Sequence, residues 1–178
     1  MHNRANHLLE LLEHQGPRLH ALLTRITLHE DIAEDLMQEL FIKLAESKKL
    51  DQVENLAAYA RTIAMNLAFD WRRKKRPKVS TDTEEFLEPE QEEYKAALTR
   101  LIEKEQLDVV LDAIEKLNKL QREVFVLRYI EQYSYESIAE QTGKTAHHVR
   151  ALCSRALTRL RQLCEGRLQL TGMGDVNG

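Results

Sequence analysis

A chain of 178 residues has room for one ordinary domain or two small ones, and Leu, Ala, Glu, Gln, Lys and Arg dominate it, as in a helical protein. Its net charge of −3 gives no overall bias toward a polyanion. Two cysteines exclude a disulfide scaffold, and the lack of any apolar run near 20 residues excludes a spanning helix.

Asn6 to Gln15 carries Leu8, Leu9, Leu11 and Leu12, a short helical stripe. Gly16 is expected to break it, with Pro17 in the first turn of a second helix bearing Leu19, Leu22, Leu23 and Ile26. The N-terminal segment contains Glu10 and Glu13, so it lacks the apolar core of a signal peptide. His29 to Glu46 reads as a further helix with a buried stripe of Ile32, Leu36, Leu40, Phe41 and Leu44. Its opposite side holds Glu30, Asp31, Glu34, Asp35, Gln38 and Glu39. Ser47 to Glu54 has no stripe and reads as a loop, after which Asn55 is placed to cap a helix carrying Leu56, Tyr59, Ile63, Leu67 and Trp71. Arg61, Asn66 and Asp70 are expected on the polar side of that helix, which ends in Arg72-Arg73-Lys74-Lys75-Arg76 before Pro77.

Pro77 to Glu93 is acidic and holds two prolines; it reads as a flexible linker. Beyond it, Leu101, Leu107, Val110, Leu111, Ile114 and Leu117 mark one helix, and Leu120 to Ile130 a second with Val124, Phe125 and Leu127 for a core.

The stretch from Ser134 to Arg150 is the most informative. Ser134 caps a short helix burying Tyr135, Ile138 and Ala139; Gly143 ends it in a left-handed conformation; Thr145 caps the next helix. Two helices around a tight glycine turn are the motif whose second member enters the major groove. At about 100° per residue from Val149, Leu152, Cys153, Ala156, Leu157, Leu160, Leu163 and Cys164 share one arc. Arg150, Ser154, Arg155, Thr158, Arg159, Arg161 and Gln162 share the other. The charged arc suits phosphates and base edges. Cys153 and Cys164, about 16 Å apart in rise, cannot bridge and fit a reducing cytoplasm.

The carboxylates of the third predicted helix have no His, Cys or glycine loop to complete a catalytic or metal site, so neither a metal nor a cofactor is expected. They read as a solvated face or a dock for a basic partner. Trp71 beside the basic run suits unstacked bases, and equally suits a core position at the end of a domain. His147 and His148, with Cys153, match no tetrahedral pattern and are placed near the groove.

In order, these pieces resemble the extracytoplasmic-function (group IV) sigma factors of the sigma-70 family. The likeness rests on Ala33-Glu-Asp-Leu-Met-Gln-Glu-Leu-Phe, on Ala58 to Arg76, and on Leu117 to Leu163 with its Gln121-Arg-Glu-Val-Phe, Ser134-Tyr-Glu-Ser-Ile-Ala-Glu, Val149-Arg and Ser154-Arg-Ala strings. Leu152, Cys153 and Leu157 depart from the family, as does Asn118-Lys119, and the reading helix is less basic for it.

The resemblance implies an all-α protein of two small helical domains joined by a flexible acidic linker. Region 2 would span 1–77, the linker 78–97, region 4 98–168 and a disordered tail 169–178. It implies a non-enzymatic alternative sigma factor, cytoplasmic and nucleoid-associated, that binds core RNA polymerase and promoter DNA. An inhibitory anti-sigma partner between the domains is usual in the family. The polymerase would be held by Asp31, Glu34, Asp35, Gln38 and Glu39. The minus-ten element would meet Arg61, Asn66, Asp70, Trp71, Arg72, Arg73, Lys74, Lys75 and Arg76, with 47–54 as the loop that captures a flipped base. The minus-thirty-five element would meet Thr145, His147, His148, Arg150, Ser154, Arg155 and Arg159. The rival reading is a stand-alone helix-turn-helix regulator with an N-terminal helical dimerisation domain. Free domains are expected to tumble semi-independently or to close on each other.

Overall fold

The computed structural model describes residues 2–75 and 91–171, and among them every regular element is helical. The linker residues 76–90 and the segment 172–178 lie outside the described residues, and Arg76 with them.

Helix α1 (His2–Thr27) runs through Gly16 and Pro17, where a break is expected. A proline inside a helix costs about 3 kcal/mol. Leu8 and Leu11 before it, and Leu19, Leu22, Leu23 and Ile26 after it, are all buried. Each contributes roughly 1.5–3 kcal/mol on burial, and only a continuous helix keeps them on one face. Pro17 itself is exposed, so water can reach the carbonyl it leaves unbonded. Leu28, at φ 63°, makes the turn into α2 (Glu30–Glu46), and the Thr27 hydroxyl accepts the His29 N–H at 3.3 Å.

On α2 the buried face is Ala33, Leu36, Leu40 and Leu44. Phe41, expected in that stripe, is 37% exposed, because the four-residue spacing of the leucines rotates it to the flank beside the 54%-exposed Ile42. A short 3₁₀ turn (Leu50–Gln52) leads to α3 (Leu56–Lys75), capped as expected by Asn55, whose Oδ1 accepts the Ala58 N–H at 2.9 Å. The core face of α3 is Ala60, Ala64, Met65, Ala68 and Phe69 with Leu67, whereas Leu56, Tyr59, Ile63 and Trp71 are only half-buried. The alanines at four-residue spacing share one fully buried face.

Helix α4 (Gln91–Glu115) begins inside the stretch expected to be linker. It buries Leu111, Ala113 and Ile114, with Leu117 just beyond, and leaves Leu107 and Val110 of the expected stripe exposed. Leu101 lies outside the described side chains.

Helix α5 (Lys119–Phe125), capped by Asn118, opens into a π turn (Val126–Ile130). Ser134 caps α6 (Tyr135–Thr142), Gly143 ends it at φ 65°, and the Thr145 hydroxyl accepts the His148 N–H at 3.2 Å to start α7 (Ala146–Thr171). These three are as the sequence predicts. Helix α7 continues to Thr171, into the stretch expected to be tail.

Among the described residues, two apolar clusters form the core. One is the helix-turn-helix core of Val124, Leu127, Ile138, Ala139, Val149, Leu152 and Cys153. The other joins α1–α3 to Leu111, Ile114, Leu117, Phe125, Val126, Ala156 and Leu160 of the second half. The two halves are closed on each other.

Candidate nucleic-acid and polymerase interfaces

Helix α7 presents the two arcs read from the sequence. Val149, Leu152, Cys153, Ala156 and Leu160 are buried, and Leu157, Leu163 and Cys164 are half-buried. Arg150, Ser154, Arg155, Thr158, Arg159, Arg161 and Gln162 are exposed, as are Thr145, His147 and His148 at the start of the helix. From Thr145 to Arg159 this face spans about 21 Å at 1.5 Å per residue. Arg150 is oriented by the Glu136 carboxylate of α6 at 2.9 Å and lies 5.1 Å from the Tyr135 ring, whose centroid also has the Arg128 guanidinium at 4.6 Å. Burial raises the Cys153 pKa, and its thiol lies 3.9 Å from the Val124 carbonyl, so it remains a protonated core group.

On α2, Asp31, Glu34, Asp35, Gln38 and Glu39 are all exposed, on the side away from the α1–α3 core. Glu39 pairs with Lys43 at 3.5 Å, a solvated contact of small energetic weight. With Phe41 and Ile42 beside it, the face combines negative charge and exposed apolar area, which is the composition of a docking surface. The apolar pair was not legible as part of this face, because the sequence stripe absorbs Phe41 into the core. Among the described residues no three His, Cys, Asp or Glu side chains converge as a metal would need, and no helix is long and apolar enough to cross a membrane.

The predicted residues of α3 divide into two groups. Asn66, Asp70, Trp71 and Lys74 line an open cleft of about 330 Å³ together with Leu36, Glu39 and Lys43 of α2. Trp71 stacks edge-on to His29 at 5.8 Å, with the Lys75 ammonium 4.8 Å from its ring, so it is both a packing residue and the wall of a polar cleft.

Arg61 and Arg72 are eleven residues apart, and both are buried. Eleven residues is close to three full turns, so they share a face, roughly opposite Asn66 and Asp70. The expectation of one polar side holding Arg61, Asn66 and Asp70 is therefore corrected. The Arg61 guanidinium lies 4.6 Å from the Tyr133 ring and donates to Gln141 Oε1 at 2.5 Å. Arg72, with a side chain only 5% exposed, donates to the Ile26 carbonyl at 3.2 Å, to Asp108 Oδ1 at 2.9 Å and to Asp112 Oδ1 at 2.8 Å. Its buried Nε has no hydrogen-bond partner among the described residues. Such an unmet donor costs about 1–3 kcal/mol, so this burial is not optimised for stability alone.

Arg73, exposed, pairs with Asp70 and reaches Glu115 at 3.5 Å. The Thr62 hydroxyl donates to Glu123 at 2.9 Å, and Arg25 meets Glu131 just beyond the π turn at 3.1 Å. The carboxylates of α4, α5 and the turn after it were missed as functional groups. Asp108 and Asp112, one helical turn apart, were the available signal.

Comparison with known proteins finds a family match in each half of the chain. Residues 11–78 match the model for sigma-70 region 2, and residues 107–160 match the model for sigma-70 region 4. The RNA polymerase sigma factor CarQ of Myxococcus xanthus is 27% identical over 168 residues, covering 90% of each chain. Among solved structures, CnrH in complex with the cytosolic domain of CnrY has a TM-score of 0.51 at 20% identity, over 89% of this chain and 88% of that one. The sigma factor RpoE in complex with the anti-sigma factor NepR, from Bartonella quintana, has a TM-score of 0.45 at 23% identity, over 93% and 98%. With regions 2 and 4 present in order on one polypeptide, the chain belongs to the sigma-70 family, as an alternative sigma factor of the extracytoplasmic-function kind that binds core RNA polymerase and directs transcription from promoters.

Proposed function

We propose that the contacts divide among three faces. The α2 face of Asp31, Glu34, Asp35, Gln38 and Glu39, flanked by Phe41 and Ile42, docks on the polymerase. The α3 residues Asn66, Asp70, Trp71 and Lys74, with Arg61, Arg72, Arg73, Lys75 and Arg76, take the melted minus-ten strand beside the 47–54 loop. The α7 arc of Thr145, His147, His148, Arg150, Ser154, Arg155 and Arg159 reads the minus-thirty-five duplex. The observation that carries this division is the segregation of charge. One helix presents an acidic exposed face and two others present basic ones, on a fold that holds them apart.

Residues 1–77 and 98–168 act as the two DNA-binding units, and 78–97 as the tether, with α4 supplying its last turns. Two modest DNA contacts joined through one scaffold gain by effective concentration. The chain works by binding while the polymerase does the catalysis, which places it in the cytoplasm on the nucleoid. An anti-sigma protein is a fitting partner for a member of this family.

The test is capture of core polymerase by the full chain. Asp35→Arg with Gln38→Ala reverses and truncates the centre of the acidic face. It should abolish capture, a loss of at least about a hundred-fold if these groups are the anchor, while leaving the helical content of the protein intact. Capture at the wild-type level moves the docking surface off α2. A stand-alone regulator would bind duplex sites specifically with no polymerase present, and nothing in the fold or the relatives favours it.

A further inference from the structure

His29 stands at the N-cap of α2, outside the residues assigned to any binding face, yet it meets two of the α3 residues assigned to the melted strand. Its ring packs edge-on to Trp71 with centroids 5.8 Å apart, and its Nε2 lies 3.0 Å from the Lys75 ammonium. That ammonium also lies 4.8 Å from the centre of the indole, so the three side chains close a triangle. An ammonium has only donors to offer, so Nε2 is the acceptor and the ring is neutral, with its proton on Nδ1. The backbone of His29 is held separately. Its N–H goes to the Thr27 hydroxyl at 3.3 Å, and its carbonyl accepts the Ala33 N–H at 3.1 Å. Trp71 in turn walls the open cleft of about 330 Å³ that Asn66, Asp70 and Lys74 share.

We propose that His29 is a positioning residue of the minus-ten site: its neutral ring holds Trp71 as a wall of the cleft and keeps the Lys75 ammonium beside the indole, and a bound strand that draws Lys75 onto a phosphate leaves Nε2 free to take up one proton from water. The inference rests on the proposed assignment of α3 to the melted strand. The charged groups that face the ring are Lys75 of α3, Lys104 and Asp108 of α4, and Asp31 of α2. Burial and the two lysines favour the neutral ring, and the two carboxylates oppose them. A phosphate brought to Lys75 offsets the repulsion and favours the imidazolium. A cation then remains next to the indole after the ammonium has left it. The bound form holds more protons than the free form, so strand affinity rises as the pH falls.

Trp71 is the single tryptophan of the chain, so its emission reads this contact directly. An imidazolium quenches indole emission more than a neutral imidazole does. The full chain is titrated from about pH 8 to about pH 5.5, with and without a single strand of mixed sequence about 20 nucleotides long. Emission of the free chain should fall with a midpoint below 6.5, and the strand should raise that midpoint by about one pH unit. Affinity is measured by anisotropy of the same strand carrying a rhodamine. Between about pH 7.5 and pH 6.0 it should rise about three-fold more for the wild type than for His29→Gln. The other histidines titrate in both proteins, so the difference belongs to His29. At about pH 7.5, His29→Ala should weaken binding about three- to five-fold. His29→Gln, whose amide oxygen can accept from Lys75, should recover part of that loss. Equal pH profiles for the wild type and His29→Gln, or a midpoint that the strand does not move, overturn the inference.

Lys75→Met tests the same link with the histidine in place, at an exposed position near the end of α3. In the free chain it should raise the Trp71 midpoint, because the ammonium nearest the ring is gone. The strand should then move that midpoint by less than about half of the wild-type change. A change as large as the wild type's overturns the inference. Asn66→Ala and Lys74→Ala, in the cleft itself, report the underlying assignment separately. If both leave strand affinity at the wild-type level, the assignment of α3 and this inference fall together. If they weaken it while His29→Ala and His29→Gln behave as the wild type, the role of His29 alone is overturned.

Discussion

Helices α3 and α7 both carry arginines, yet two of the three on α3 are buried while every arginine from Arg150 to Arg161 on α7 is exposed. The exposed face of α7 is solvated from Arg150 to Arg161, and its cross-helix ion pair to Glu136 is between two side chains more than half exposed. Such pairs contribute about 0–1 kcal/mol and cost little to give up for a phosphate. In α3, Arg61 and Arg72 are buried, and Arg72 depends on two carboxylates and two backbone carbonyls for its solvation. The same residue type is therefore a ready contact on one helix and a structural tie on the other. Burial, which a charge count along the sequence does not contain, makes the difference.

The sharpest way to test that contrast is to remove one arginine from each helix. Arg72→Ala takes away the cation that Asp108 and Asp112 share and opens a gap between α1, α3 and α4. Breaking a fully buried pair costs about 3–5 kcal/mol. Asp108 is half-exposed and water will reach it, so about 2–3 kcal/mol is expected, read as a lower midpoint in urea unfolding. Arg150→Ala should change the unfolding midpoint very little, because its pair with Glu136 is solvated. It should instead weaken binding to an upstream promoter duplex by about 1–3 kcal/mol if the side chain reaches a base edge. Similar stability losses in both variants would erase the distinction between the two helices. An unchanged duplex affinity would place Arg150 among the merely solvated charges.

How much of this the sequence carries follows the same line. The helix-turn-helix was legible to the residue, because caps and a left-handed glycine are local: Ser134, Gly143 and Thr145 act within four residues of themselves. The two arcs of α7 were legible because amphipathic spacing over many turns leaves little choice. Local rules failed where distant packing decides. Pro17 predicts a break, and the buried leucines on both sides of it override the rule. Phe41 predicts core, and the spacing of Leu36, Leu40 and Leu44 turns it outward. Ala60, Ala64 and Ala68 give only a weak apolar signal, although all three are fully buried. The acidic surface on α4 and α5 was least legible of all, since its meaning lies in what it touches across the chain.

The smallest expected effect concerns the lower end of α3, where α1, α2 and α3 meet. The His29 ring packs on Trp71 and lies with its Nε2 3.0 Å from the Lys75 ammonium, which a neutral imidazole can accept. Burial is the first cause that lowers its pKa below the usual 6.5, followed by repulsion from Lys75 and Lys104; Asp31 and Asp108 oppose the shift. The unfolded chain therefore takes up this proton at a higher pH than the native one does. By linkage, the contribution of His29 to stability is intact above about pH 6.5 and is lost as pH falls through the native value, when a cation would form against Lys75. His29→Gln retains a polar side chain and cannot titrate. Urea midpoints at about pH 7.5 and 5.5, on either side of the unperturbed imidazole value, should accordingly fall further on acidification for the wild type than for His29→Gln. Equal slopes would assign the acid sensitivity to other groups and leave the His29–Trp71 contact as packing alone.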